Sequence, residues 1–184
     1  MGRAGRYAHR QRRVTPPAIR LARLAEAALL PAIEHSSDQL FRGGELDHIA
    51  RALPPAASTY WPHVQAGAVW VAANGGDIPV AFLAAETQAD GAVIHQLSVA
   101  RDHQRQGLGS ALMAAAIAWA GETGQPRVML TTFRQVPWNE PYYRRLGFVE
   151  PPADRRPATL SRLLDREAVL GHDPARRCGM VLEL

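Results

Sequence analysis

Between Ser110 and Ala120 the chain reads SALMAAAIAWA, eleven residues without a charge, a glycine or a proline. Nothing there breaks a helix, and the composition favours one. The segment is apolar nearly all round, so it has no face suited to water and has to be buried on more than one side. Eleven residues are too few to cross a bilayer. Apolar runs flank it, Ala92 to Val99 before and Val128 to Phe133 after. Together they read as strand, helix, strand, a crossover unit whose two strands lie parallel. The second run is apolar on both faces, as a central strand should be.

The remaining elements follow from punctuation and period. Ala68–Ala73, Ile78–Glu86 and Ala92–Val99 are separated by Asn74-Gly75-Gly76-Asp77 and by Gln88–Gly91. Turns that tight make an antiparallel meander. Val14–Arg23 reads as a first strand with Ile19 and Leu21 inward. Leu24 to His35 reads as a helix that Pro31 ends or kinks. Leu46, Ile49, Ala50 and Leu53 have helical spacing, which Pro54-Pro55 stops. Ala56–Gly67 reads as an irregular aromatic connector. After Phe133, Asn139 can N-cap a short helix with Pro141 in its first turn. Phe148 begins another strand, Leu160, Leu163, Leu164 and Ala168 have helical spacing, and Arg177–Leu184 is a last strand. An α/β (α+β) chain with one mixed sheet of about six or seven strands is expected. It divides into a disordered Arg-rich tail, residues 1–13, and a single domain, residues 14–184.

Charge narrows the function. Arg3, Arg6, Arg10, Arg12 and Arg13 lie ahead of every acid, so the net +4 belongs to the tail. The body carries 16 arginines against 17 acids, which makes nucleic acid an unexpected partner. The chain has no lysine at all. That excludes a Walker A loop and Schiff-base chemistry. No apolar run reaches membrane-spanning length, so no membrane partner is expected. Cys178 is the single cysteine and the N-terminal residues lack an apolar stretch, which together point to a cytoplasmic setting. The seven histidines include no pair at i, i+4 and no His-Glu-x-x-His, so no metal is expected.

The chemistry gathers around Gln104-Arg105-Gln106-Gly107-Leu108-Gly109-Ser110, where the polar loop becomes the apolar helix. Glycines let backbone approach a ligand closely, and free N–H groups at a helix N-terminus favour phosphate. Arg105 adds a fixed positive charge. No carboxylate lies between Gln104 and Ala120 to repel an anion.

Gln104-x-x-Gly107-x-Gly109 resembles the Gln/Arg-x-x-Gly-x-Gly/Ala signature of the GCN5-related N-acetyltransferases, the GNAT superfamily. Leu97-Ser98-Val99 resembles that family's strand along the pantetheine arm of acetyl-CoA. Asn139 and Tyr143-Arg-Arg-Leu-Gly147-Phe148 resemble its Asn … Tyr-x-x-x-Gly-Phe segment. The resemblance implies a mostly antiparallel sheet whose one central parallel pair splays apart around acyl-CoA, flanked by helices. It implies that backbone N–H groups from Gln104 to Ser110 bind the pyrophosphate and that Leu97 and Val99 pair with the pantetheine amides. Asn139 would hold the cofactor arm. Tyr143, or its neighbour Tyr142, would protonate the departing thiolate. Acetyl-CoA is thus the implied co-substrate, and a primary amine of a small molecule the acceptor, attacking directly in a ternary complex.

Two departures from the family pattern stand out. Tyr143 follows Asn139 more closely than in many relatives. His95-Gln96 occupies the place where relatives often carry a glutamate base, which makes His95 the candidate base, with a water relay as the other route. His63 and Glu34 are outside candidates. Tyr60, Trp61 and Phe41 suit an apolar acceptor pocket. Edge strands leave room for a homodimer. A non-catalytic acyl-CoA-binding module is the alternative to the enzyme.

Overall fold

Asn74 shows how the first hairpin closes. Its Oδ1 accepts hydrogen bonds from the N–H of Gly76 at 2.9 Å and of Ile78 at 3.2 Å, and Asp77 takes the left-handed conformation at φ +60°. Such side-chain-to-backbone bonds define an Asx turn. In this computed structural model, which describes residues 17–184, the turn joins β2 (Val69–Ala73) to β3 (Pro79–Gln88). The tail expected over residues 1–13 lies outside the described residues. β4 (Gly91–Val99) completes the meander, and β1 (Ala18–Leu21) borders it on β2. After α4 (Leu108–Glu122) come β5 (Arg127–Phe133) and β6 (Arg177–Glu183). The six strands lie in sequence order, and only β4 and β5 are parallel.

Helices cover both faces. α4 sets Leu112, Met113, Ala116 and Ala120 against Leu83, Ile94, Val128, Leu130 and Met180, all buried. A Leu as fully enclosed as Leu112 contributes about 2–3 kcal/mol. The opposite face carries Leu30 and Ile33 of α1 (Leu30–Asp38) and Val64 of α3 (Trp61–Gln65) on Val69, Val71 and Phe82. Leu160 of α6 (Ala158–Val169) packs there too, on Val93, Met129 and Val181. The short α2 (Asp47–Arg51) and α5 (Glu140–Arg145) stand at the rim of the sheet.

Several local expectations needed correction. Pro31 neither ends nor kinks a helix; it sits in the first turn of α1, where its missing N–H costs nothing, and residues Leu24–Leu29 form a 3-10 segment ahead of it. Ala56–Gly67 is not irregular, because Pro62 plays the same part in α3. Leu21, expected inward, is 51% exposed, because β1 is an edge strand that ends there. Phe148–Glu150 makes no seventh strand. Val149 forms a single bridge to Val181 before the prolines take the chain away.

The feature that matters most is a change of register. Ala84 pairs with Gln96, but Ala85 pairs with Ile94, so His95 is left over as a β-bulge. Parallel pairing of β4 with β5 stops at the same level, at Ile94↔Leu130. Beyond it β5 continues on β6 alone, from Thr131↔Gly179 to Phe133↔Arg177. A bulge bends its strand and increases the twist. The two central strands part, and a cleft opens between them.

Candidate active site

The cleft holds about 850 Å³ and is walled by β4, β5, α1, the loop before α4 and α5. Its floor is an unpaired backbone edge. An antiparallel pair directs alternate residues toward its partner. Ala100 N–H bonds to Val80 O at 2.9 Å, which sets the phase. Ser98 and Gln96 therefore spend their backbone on β3, while Leu97 and Val99 turn theirs to the edge that β5 has left. The Val99 carbonyl is already taken, accepting from Gln104 Nε2 at 3.0 Å. That bond ties the glycine loop to the end of the strand.

The loop presents a helix N-terminus to the cleft. Gly107 is the N-cap at φ +80°, and no side chain caps the first N–H groups of α4. A Cβ on Gly107 would meet nothing within 4 Å, so the backbone faces open space. Arg105 is held at φ +58°, a conformation that costs a non-glycine residue about 1 kcal/mol. The first turn of α4 contains no acid. Uncapped N–H groups, the dipole and the cleft-lining Arg105 and Arg145 give this end of the cleft a positive character.

α5 brings in the tyrosines. Asn139 is its N-cap residue, but its side chain caps nothing and lies on the cleft wall. Tyr142 leans on α4, with its hydroxyl 3.4 Å from Ser110 Oγ and within 3.7 Å of where a Cβ on Gly109 would stand. Tyr143 packs edge-on against Tyr142 and Phe148, at 5.1 and 5.9 Å between ring centroids. Its hydroxyl has no hydrogen-bond partner among the described residues, and burial pushes its pKa further above the usual phenol value. Tyr142 thus buttresses the loop, whereas Tyr143 keeps a free proton at the cleft.

His95 also lines the cleft. Its Nε2 lies 2.9 Å from Glu86 Oε1 on β3. Burial lowers its proton affinity, and Glu86 opposes that only in part. His63 of α3 stands beside it, 5.1 Å between ring centroids, with Nδ1 3.1 Å from the carbonyl oxygen of Ala85. Atoms of His63, Glu86 and His95 come within 4.8 Å of one another. On α1, Glu34 and Asp38 face the same cleft. Burial raises both, Asp38 to about 6. Glu34 accepts a hydrogen bond from Tyr60.

A model of the acetyltransferase (GNAT) family matches residues 32–148. The chain belongs to that family. "Probable N-acetyltransferase 14" of Homo sapiens is 48% identical to this GNAT chain over 71 residues, 35% of the chain and 34% of the relative. The match therefore spans about a third of the length of such curated relatives. A Mycobacterium tuberculosis protein solved in complex with CoA superposes with a TM-score of 0.61 at 21% identity, covering 91% of this chain and 99% of that one. An N-acetyltransferase from Thermoplasma acidophilum in complex with coenzyme A gives 0.65 at 14% identity, covering 92% and 100%. At these identities the structures speak for the fold.

Of the residues singled out in the sequence, this GNAT fold brings His95, Leu97, Val99, Gln104, Arg105, Gly107, Leu108, Gly109, Ser110, Asn139 and Tyr143 to one cleft. It does not bring Ser98 or Gln106. Ser98 is buried and its Oγ accepts from Gln96 at 2.9 Å, while Gln106 reaches back to Asp102 O. The expected aromatic pocket is also different. Phe41 lines the cleft with Trp138, 6.0 Å between ring centroids, but Tyr60 packs on Phe82 in the core and Trp61 lies outside. Sequence reading missed Glu86, Asp38 and Trp138. The hairpin sets Glu86 across from Val93 and, by alternation, diagonal to His95, which was the available signal; nothing in the sequence announces the bulge that follows. Cys178 is buried and does not line the cleft, and burial raises its thiol to about 11.

Proposed function

We propose that this chain is an acetyl-CoA-dependent N-acetyltransferase acting on a primary amine of a small molecule. The observation that carries the reading is the vacated backbone edge of Leu97 and Val99, ending in an uncapped helix N-terminus. Extended pantetheine carries amides that match such an edge, as an added strand would. Its pyrophosphate suits the N–H groups of Leu108 to Ser110, and Arg105 and Arg145 supply countercharge. Gln104 holds the loop in register, and the free side chain of Asn139 is available to the cofactor arm.

The chemistry follows from what flanks the edge. His95 takes a proton from the incoming ammonium, which frees the nitrogen lone pair. The amine attacks the thioester carbonyl, a C–N bond forms and the C–S bond breaks. The N–H of Val99 is the nearest unspent backbone donor for the oxygen that gains charge. Tyr143 donates to the departing sulfur, and the second amine proton restores its hydroxyl through water. One proton is released for each amide made. No covalent enzyme intermediate is needed. Glu34 and Asp38 attract a cationic acceptor from the α1 side, and Phe41 and Trp138 offer apolar surface for its body.

The test is thiol release from acetyl-CoA with a panel of small mono- and diamines and amino acids, with the amide identified by mass. Turnover with at least one amine is expected. CoA binding without turnover on the whole panel contradicts the enzyme and leaves a binding module.

A further inference from the structure

Glu86 pairs with Val93, and alternation along β4 returns His95 to the face of Val93, so His95 lies diagonal to Glu86. The register shift that follows leaves His95 without a β3 partner of its own and does not change that face. Nε2 of the ring then meets the carboxylate at 2.9 Å. A carboxylate at neutral pH only accepts hydrogen bonds, so Nε2 must carry the hydrogen. In neutral imidazole the lone pair is then on Nδ1, and among the described residues Nδ1 has no hydrogen-bond partner. His63 is fixed in the opposite sense. Its Nδ1 meets the carbonyl of Ala85, another pure acceptor, at 3.1 Å.

We propose that Glu86 is a positioning residue that locks His95 in the Nε2–H tautomer and so makes Nδ1 the atom that accepts the amine proton. This rests on the reading of His95 as the base. When Nδ1 takes the proton, Nε2–H stays on His95 and the new charge is shared with the Glu86 carboxylate across the existing bond. Glu86 itself remains ionised, and Nδ1 returns its proton to water in the cleft. The charged and titratable neighbours of His95 act in both directions. Glu86 on β3 favours the imidazolium, whereas His63 on α3 and Arg166 on α6 oppose it. Their balance with burial keeps the ring neutral, and hence basic, near pH 7.

Glu86→Gln keeps an acceptor for Nε2–H but removes the negative charge. Its loss disfavours the imidazolium, so the acidic limb of the kcat/KM pH profile should move to lower pH. A less basic His95 should also lower the plateau, by about 10-fold or more. The KM for acetyl-CoA should hold. Glu86→Ala frees the tautomer as well and should cost more. Long-range proton–nitrogen spectra of the wild-type chain, without any substrate, should show the His95 hydrogen on Nε2, and Glu86→Ala should lose that preference. A purely structural role would lower activity without moving the limb. Hydrogen on Nδ1 in the wild type, or an unmoved limb in a folded Glu86→Gln enzyme whose His95→Gln counterpart is inactive, overturns the positioning role alone. Full activity in His95→Gln overturns the base reading, while the spectra still report on the Glu86 contact.

Discussion

Two adjacent tyrosines at the cleft differ in what each hydroxyl touches. Tyr142 reaches Ser110, whereas Tyr143 has no described partner. Tyr143→Phe is expected to lower kcat by about 100-fold with little change in cofactor affinity. Tyr142→Phe should chiefly weaken CoA binding through the loop it supports. Steady-state kinetics with CoA titrations separate the two, and the reverse pattern would exchange their roles. Asp38 poses a residue-scale question of stability. Its carboxyl is raised to about 6 by burial and has no cationic partner among the described residues. An acid raised on folding destabilises the native state above its folded pKa, and that cost fades as pH falls through 6 toward the unfolded value. Allowing for partial solvent screening, Asp38→Asn should stabilise by about 1–2 kcal/mol at pH 7.5 and by little near pH 4. Urea unfolding at both pH values checks this. A gain that does not vary with pH would contradict it.

At the scale of elements, the glycines carry the sharpest demands. Gly107 needs φ +80° yet has open space above it. Gly107→Ala should therefore cost about 1 kcal/mol of stability through backbone strain. Gly107→Glu adds a negative charge at the helix N-terminus and should weaken CoA affinity at least 10-fold in a folded protein, as calorimetry would show. Gly179 of β6 is the opposite case. A Cβ there would meet Leu160 of α6 at 2.7 Å, and Leu160 is fully buried. Gly179→Ala should lower stability by about 1–3 kcal/mol without altering CoA affinity. Elements of this kind were legible where one residue pattern decides the outcome. The meander was written in Asn74-Gly75-Gly76-Asp77, the buried helix in SALMAAAIAWA, and the turn into α4 in Gly107. α3 was not, because Pro62 reads as a breaker unless it is known to sit in a first turn. The bulge was not legible either. The Glu86–His95 contact was within reach, because the Gln88–Gly91 turn sets Glu86 across from Val93 and alternation puts His95 on the same face, but the one-residue slip beyond it was not.

At the scale of the molecule, the described cleft is assembled from residues between Glu34 and Arg177, all beyond the basic tail. Removing residues 1–13 should leave CoA affinity and turnover unchanged, even at low salt where surface charges act furthest. A salt-sensitive loss would give the tail a part in binding. The sheet, its bulge and the two helix layers hold one arrangement, a central parallel pair that parts, and the proposal seats an extended ligand where a strand would lie. The most direct test is amide-resolved hydrogen exchange of the whole chain with and without saturating CoA. The N–H groups of Leu97 and Val99, and those of Leu108 to Ser110, should gain protection, while Ser98, already bonded to β3, should not change. Unaltered exchange at Leu97 and Val99 in a chain that binds CoA would contradict the strand-like seating of the ligand.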